Sequence, residues 1–244
     1  MPLFNACGVT SMKKTFNFAS CFMSGETATD FTWVITAIGE LLESEGIAKP
    51  QIIVTDRDLG LLRAIEGYEP FNGIPHILCR WHANMNVLSK CKQHFPKAKW
   101  DPATRKAVRA AEFTRFLEAW NALANAETEA LFNQKLEHFK EAGRFPDAAV
   151  SYVLNTWITP WKEKIVRCFV DRYRHFGYVT TSIVEPANAA IKRFLWGNTG
   201  DLSTVFRHLE NFWRYQLAEI QGHERQRYNK LFNYTRKLLR NMPC

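Results

Sequence analysis

QIIVTDRDLGLL, residues 51–62, is a short apolar run that stops at Asp56 and resumes with helix-forming residues after Asp58. A run of this length between turn signals reads as a buried strand followed by a helix. Asp56 then emerges at the carboxyl end of the strand, the edge at which open α/β sheets place their sites. The plainer alternative is that one of the two acids caps the following helix. Only one is needed for that, and Asp58 is the better placed.

Working outward, LFNACGV (3–9) and TFNFASCFM (15–23) are apolar or alternating runs joined by a short polar stretch, which suits an antiparallel hairpin. From Thr27 to Glu45 the apolar residues Phe31, Val34, Ile35, Ile38, Leu41 and Leu42 recur at helical spacing, and Gly46 suits the position after a helix end. Asp58 to Glu66 reads as a short helix, HILC (76–79) as a strand and Trp81 to Phe95 as a helix. The order β-β-α-β-α-β-α predicts an α/β fold, a mixed sheet with helices packed on it.

After Pro96 the character changes. From about Pro102 to Ala149 strand signals almost vanish, and KAVRAAEFTRFLEAWNALA and ETEALFNQKLEHFKEA predict helices. Phe113, Phe116, Leu117, Trp120 and Leu123 form one apolar stripe, and Leu131, Phe132, Leu136 and Phe139 a second; both read as core. The stretch 150–180 is aromatic and less regular, 182–195 is helical, and 202–221 and 223–240 read as two further helices. The expected organisation is an α/β core over 1–96, a helical insertion over 97–180 and a return to the core over 181–244.

Composition narrows the classes of partner. A net charge of +8 and a pI near 9.2 favour a polyanion, nucleic acid first. The N-terminus lacks the pattern of a secretory signal, and no apolar run is long enough to span a membrane. Cys7, Cys21, Cys79, Cys91, Cys168 and Cys244 are scattered, which fits reduced thiols rather than a disulfide framework.

Two motifs carry candidate chemistry. Glu185 precedes Pro186 near a predicted helix start, where the dipole favours a carboxylate, and Asn188 and Lys192 share its face. Carboxylate, amide and ammonium on one stripe suit a phosphodiester with a divalent metal; an ordinary capped surface helix is the alternative. CRWHANMNVLSKCKQH (79–94) contains Cys79–x–x–His82 and Cys91–x–x–His94, on paper a zinc set. Twelve residues of helix hold the two pairs about 18 Å apart, so one zinc on all four is disfavoured. Cys79 and His82 can still act as a local pair.

From Leu202 onward eight basic residues (Arg207, Arg214, Arg225, Arg227, Lys230, Arg236, Lys237, Arg240) face three glutamates, with aromatics between them. Such helices either hold a nucleic-acid backbone by charge or present a solvated face whose aromatics complete the core.

The order GVTS…KTF…SGET, LLESEGI…IIVTDRDL, HILCRWHANMNVL…KC and TTSIVEPANAAIK resembles the catalytic domain of Mutator-like element transposases along nearly the whole chain. The resemblance implies a ribonuclease-H-like fold with a helical insertion between the second and third catalytic acids. It implies an Asp-Asp-Glu site holding Mg²⁺ or Mn²⁺ for DNA strand cleavage and strand transfer. Asp56 falls on the second acid and Glu185 on the third; Cys79 and His82 fall on the family's C-x-x-H element, with zinc not expected. Asn188, Lys192, Arg193, Arg207 and Arg214 are the expected DNA contacts. The family's first Asp and first strand would precede the segment matched by MPLFNACGV. The expectation is therefore an N-terminally shortened transposase that binds DNA without cutting it, or a domesticated DNA-binding or transcription-regulatory derivative. The implied partners are transposon-end and target DNA, a homo-oligomer is compatible with this, and the implied location is the nucleus.

Overall fold

The structure, a computed structural model, describes residues 1–101, 105–195 and 201–240. Its described residues form two compact units. One comprises 1–26 and 182–244, the other 27–181.

The first unit begins with the expected hairpin, β1 (Leu3–Val9) and β2 (Thr15–Phe22), antiparallel with a register shift between Ala6 and Cys7. The Thr10 hydroxyl accepts from the amides of Met12 and Lys14, and Lys13 takes a left-handed φ of 58° to close the turn. Two helices complete this unit, α9 (Val184–Phe194) and α10 (Leu202–Arg240). Ile191, Leu209 and Phe212 make its small core, with Leu3, Phe22 and Trp213 packed around them. Where the sequence predicted two helices broken at Gly222, α10 runs on as one helix of 39 residues, about 58 Å long. One helical glycine costs only about 1 kcal/mol, too little to break a helix by itself. The side chains of Phe232, Tyr234, Arg236, Lys237 and Arg240, and all of Cys244, lie outside the described residues.

The second unit starts with α1 (Ala28–Ser44), capped by a reciprocal pair in which Thr27 and Asp30 satisfy each other's backbone amides. Gly46 takes the left-handed φ of 61° that ends it. Strand β3 (Ile53–Thr55) leads to α2 (Leu59–Gly67), and β4 (His76–Leu78) to α3 (Arg80–Cys91). β3 and β4 pair in parallel, Ile53 with His76 through Thr55 with Leu78.

Beyond α3 the insertion opens with a short hairpin, β5 (Lys99–Asp101) and β6 (Lys106–Val108). That corrects the helical reading of KAV: the first helix of the insertion, α4 (Ala111–Ala124), starts later. Three residues of helix-forming composition are overridden by pairing with β5, since propensity is worth only tenths of a kcal/mol per residue. Next come α5 (Glu129–Lys140) and α6 (Asp147–Val153). A π-helical turn (Leu154–Ile158), α7 (Thr159–Ile165) and α8 (Arg167–Val170) make the 150–180 region more regular than its sequence suggested.

Where the element order implied one mixed sheet, the described strands form three two-stranded sheets. The chain is thus a mixed α/β protein, largely helical with small sheets. Its main core is helical: Phe113, Phe116, Trp120, Leu123, Phe132 and Phe139 of the two predicted stripes are all buried. Leu117, Leu131 and Leu136 pack at its margin. The same cluster takes in Leu62, Leu78, Ala83 and Val87. The β4–α3 segment is therefore anchored on the helical insertion. The insertion is its foundation, not a decoration.

Candidate functional site

Asp58 is the helix cap. Its Oδ1 accepts from the amide of Leu61 at 2.9 Å, satisfying a donor at the α2 N-terminus. Asp56 is thereby left for other work, and its carboxylate is 51% exposed at the end of β3.

Three backbone segments converge on that carboxylate. The first is the end of β3 itself. The second is the β4–α3 junction: the Cys79 amide donates to the carbonyl of Thr55 at 2.7 Å, extending the β3–β4 pairing by one step. Cys79 then serves as N-cap of α3, and His82 lies one turn in. The third is the strap Val179–Thr181, returning from the helical insertion. The Arg80 amide donates to the Val179 carbonyl at 3.1 Å, and the Thr181 amide points at the Cys79 sulfur at 3.2 Å.

The side chains close on one point. His82 Nδ1 lies 2.5 Å from Asp56 Oδ1, and the Thr181 hydroxyl donates to the same oxygen at 3.0 Å. Thr181 Oγ1 is also 3.3 Å from His82 Nδ1. Cys79 is 1% exposed, and the ligand atoms of Asp56, Cys79 and His82 all lie within 4.8 Å of one another. The exposed Trp81 meets the His82 ring edge-on, with ring centroids 4.6 Å apart.

Arg80 fixes the start of α3 from below. Its guanidinium donates to the carbonyls of Ala124 and Ile165, each at 2.5 Å. Burial lowers its pKa to about 10. A guanidinium holding two carbonyls stays charged at any physiological pH all the same.

The second C-x-x-H pair is elsewhere. Cys91 is buried in the helical core, its thiol 3.9 Å from the Ala149 carbonyl, and burial pushes its pKa up to about 11. His94 is exposed, beside Gln93. The four-ligand zinc set is not assembled.

The other expected site residues belong to the first unit. Glu185 is exposed in the first turn of α9, with Ile183 rather than Glu185 at the N-cap. Asn188 Oδ1 accepts from the Asn5 side-chain Nδ2 at 2.7 Å, so this side-chain oxygen ties α9 to β1. Lys192 and Arg193 are exposed in the last turn of α9. Arg193 also lines a cavity of about 690 Å³ with Phe212, Tyr215 and Glu219. On α10, Arg207 donates to the Thr204 hydroxyl, and Arg214 pairs with Glu210 at 2.7 Å. Phe206, Tyr215 and Tyr228 are exposed while Phe212 is buried, so the aromatics of this helix serve both core and surface.

With Asp56, Cys79 and His82 drawn together at the end of β3, the segment containing them can be compared with known families. Residues 1–86 match the MULE transposase domain. The MULE match runs from β1 into α3 and includes all three of these residues. A second similarity is to the PKS-NRPS hybrid synthetase cheA of Chaetomium globosum, 25% identical over 207 residues. That alignment covers 80% of this chain, yet the chain spans only 4% of the synthetase's length, so the synthetase's name describes that protein alone. No described helix is long and apolar enough to cross a membrane.

Thr181 was missed by sequence reasoning. It is 125 residues from Asp56, and nothing in the TTS stretch marks it as a partner of a distant acid.

Proposed function

We propose that this chain is the DNA-processing part of a Mutator-like transposase, with a ribonuclease-H-like α/β region and a helical insertion. The observation that carries the reading is Asp56, at the carboxyl end of a parallel strand inside the segment that matches the MULE transposase domain. DNA is the partner, held through its phosphates by the exposed cations of α9 and α10, foremost Lys192, Arg193 and Arg207. Nuclear action follows from that task.

Mg²⁺ or Mn²⁺ would be held by Asp56, with Glu185 the further acid that the resemblance to Mutator-like transposases implies. Both carboxylates are exposed enough to meet an ion that keeps much of its water. Bound there, the ion supplies charge stabilisation at the scissile phosphate and an activated oxygen nucleophile. Asp56 is oriented by His82 and Thr181, which both engage its Oδ1. Cys79 and His82 are not magnesium ligands by chemistry, and Asn188 braces α9 rather than meeting DNA.

Two carboxylates organise a pair of metal ions poorly. The 244-residue polypeptide on its own is therefore expected to bind DNA without efficient strand cleavage. The test is nicking of supercoiled DNA with Mg²⁺ or Mn²⁺, beside salt-dependent binding of a generic duplex. Binding that weakens steeply with salt, with little nicking, supports the reading. Robust metal-dependent nicking abolished by Asp56→Ala would show that these residues suffice for catalysis. Absence of DNA binding at low salt would remove the transposase reading.

A further inference from the structure

We infer that Asp56, Cys79 and His82 form a three-ligand site for a zinc-like transition-metal ion, with the fourth position left to water. The inference rests on the geometry of these residues and not on the DNA-processing role; a zinc-like ion on Asp56 competes with the Mg²⁺ or Mn²⁺ assigned to the same carboxylate, and the two are not held there together.

The donor set decides the class of ion. One carboxylate oxygen, one thiol sulfur and one imidazole nitrogen suit borderline and soft divalent ions, zinc above all, and not magnesium or calcium, which take oxygen. The spacing is close to what a tetrahedral ion needs. With metal–ligand bonds of about 2.0–2.3 Å, ligand atoms sit about 3.3–3.7 Å apart. Here they already lie within 4.8 Å of one another, so adjustments of about 1 Å complete the shell.

The mobile and fixed members are distributed sensibly. Cys79 is buried, its backbone amide is held by Thr55, and the Thr181 amide faces its sulfur. That is the outer contact that fixes a ligating sulfur. His82 and Asp56 are 30% and 51% exposed, so their side chains can turn. The Thr181 hydroxyl, bonded to Asp56, orients the carboxylate in the same outer role.

Without metal, the His82–Asp56 hydrogen bond fills the gap at 2.5 Å. An entering ion displaces that shared proton, which moves to Nε2 of a neutral imidazole or to solvent from an imidazolium, and pushes the pair apart by about 0.8 Å. The Cys79 thiol gives its proton to solvent. The neutral imidazole carries its remaining proton on Nε2 and bonds the ion through Nδ1. Thiolate and carboxylate together neutralise the dication, so no net charge is placed at the α3 N-terminus.

This site is distinct from the four-ligand zinc set suggested by the doubled C-x-x-H motif. Cys91 and His94 take no part, and zinc at this place departs from the expectation for Cys79 and His82.

The test uses the full chain purified without chelator, with zinc measured by elemental analysis. About one equivalent is expected, with cobalt substitution giving a thiolate-to-cobalt charge-transfer band. Both are lost in Cys79→Ser and in His82→Ala, and both survive in the double variant Cys91→Ser/His94→Ala. Thr181→Val is expected to weaken zinc affinity about 10- to 100-fold, as removal of an outer partner does. Should Cys79→Ser fold poorly, zinc-edge X-ray absorption on the unaltered chain answers the same question. One sulfur at about 2.3 Å with nitrogen and oxygen neighbours is expected. Metal-free protein after zinc addition, a sulfur-free shell, or zinc retained by folded Cys79→Ser would overturn the site. None of these readouts depends on DNA cleavage, so either proposal can fail alone.

Discussion

Gln216 holds Asn17 by both of its backbone groups. Its Oε1 accepts from the Asn17 amide at 2.8 Å and its Nε2 donates to the Asn17 carbonyl at 2.9 Å. A side-chain amide on α10 thus imitates a neighbouring strand along the outer edge of β2. Gln216→Ala leaves both groups without that partner, at a cost of about 1–3 kcal/mol locally. Amide exchange at Asn17 is expected to speed up by about 5- to 150-fold. Unchanged exchange there would mean that the clamp is dispensable.

Gly39 is a buried helical glycine where alanine should not be an improvement. A Cβ at this position would collide with the hydroxyl and ring of Tyr68. The ring is itself pinned edge-on against Phe71, with centroids 4.9 Å apart. Helix propensity would return about 1 kcal/mol, and overpacking costs about 1–3 kcal/mol. Gly39→Ala should therefore lower the urea midpoint, and the same change in a Tyr68→Leu background should raise it.

His76 makes the second unit acid-sensitive. Burial lowers its pKa from 6.5 to about 4; the nearby Lys164 lowers it further and Glu66 opposes. Its Nε2 lies 2.8 Å from the Thr55 hydroxyl, beside the site strand. The unfolded chain takes up a proton near pH 6.5 that the folded chain refuses until about pH 4. Stability is whole above pH 6.5 and falls away as pH drops towards 4, by up to about 3 kcal/mol. Urea titrations across that window should show the loss, and His76→Gln should flatten it.

Trp120 is fully buried, and its indole N–H donates to Asn84 Oδ1 at 2.8 Å. Asn84→Ala strands a buried donor and should cost about 1–3 kcal/mol. Adding Trp120→Phe removes the stranded donor, so the double variant should lose less than the sum of the single ones. Strict additivity in chemical unfolding would argue that water replaces the bond.

Much of this architecture is legible in short windows. Asp58 as a cap, Gly46 as a helix stop, the β1–β2 hairpin and the two stripes of the insertion each depend on neighbours within a few turns. The sequence also placed Asp56 at a strand end. Features decided by distant partners were not legible. The β5–β6 hairpin depends on pairing that overrides a helical composition, and the continuity of α10 on one weak glycine being tolerated. The meeting of Asp56, Cys79 and His82 depends on the parallel register of β3 and β4, set by packing on helices far along the chain. Cys79–x–x–His82 was seen as a local pair, but its third member could not be read from spacing.

The strap Val179–Thr181 gives the site an unusual genetics. Thr181 and His82 are 99 residues apart yet share a hydrogen bond, and nearly all the chain between them is helical insertion. A polypeptide divided in an exposed turn of that insertion would carry Asp56, Cys79 and His82 on one fragment and Thr181 on the other. Reassembly would have to go through the aromatic core, since the strap alone offers too few contacts. The cluster would then work as a complementation reporter, whole only when two separately made halves have found each other.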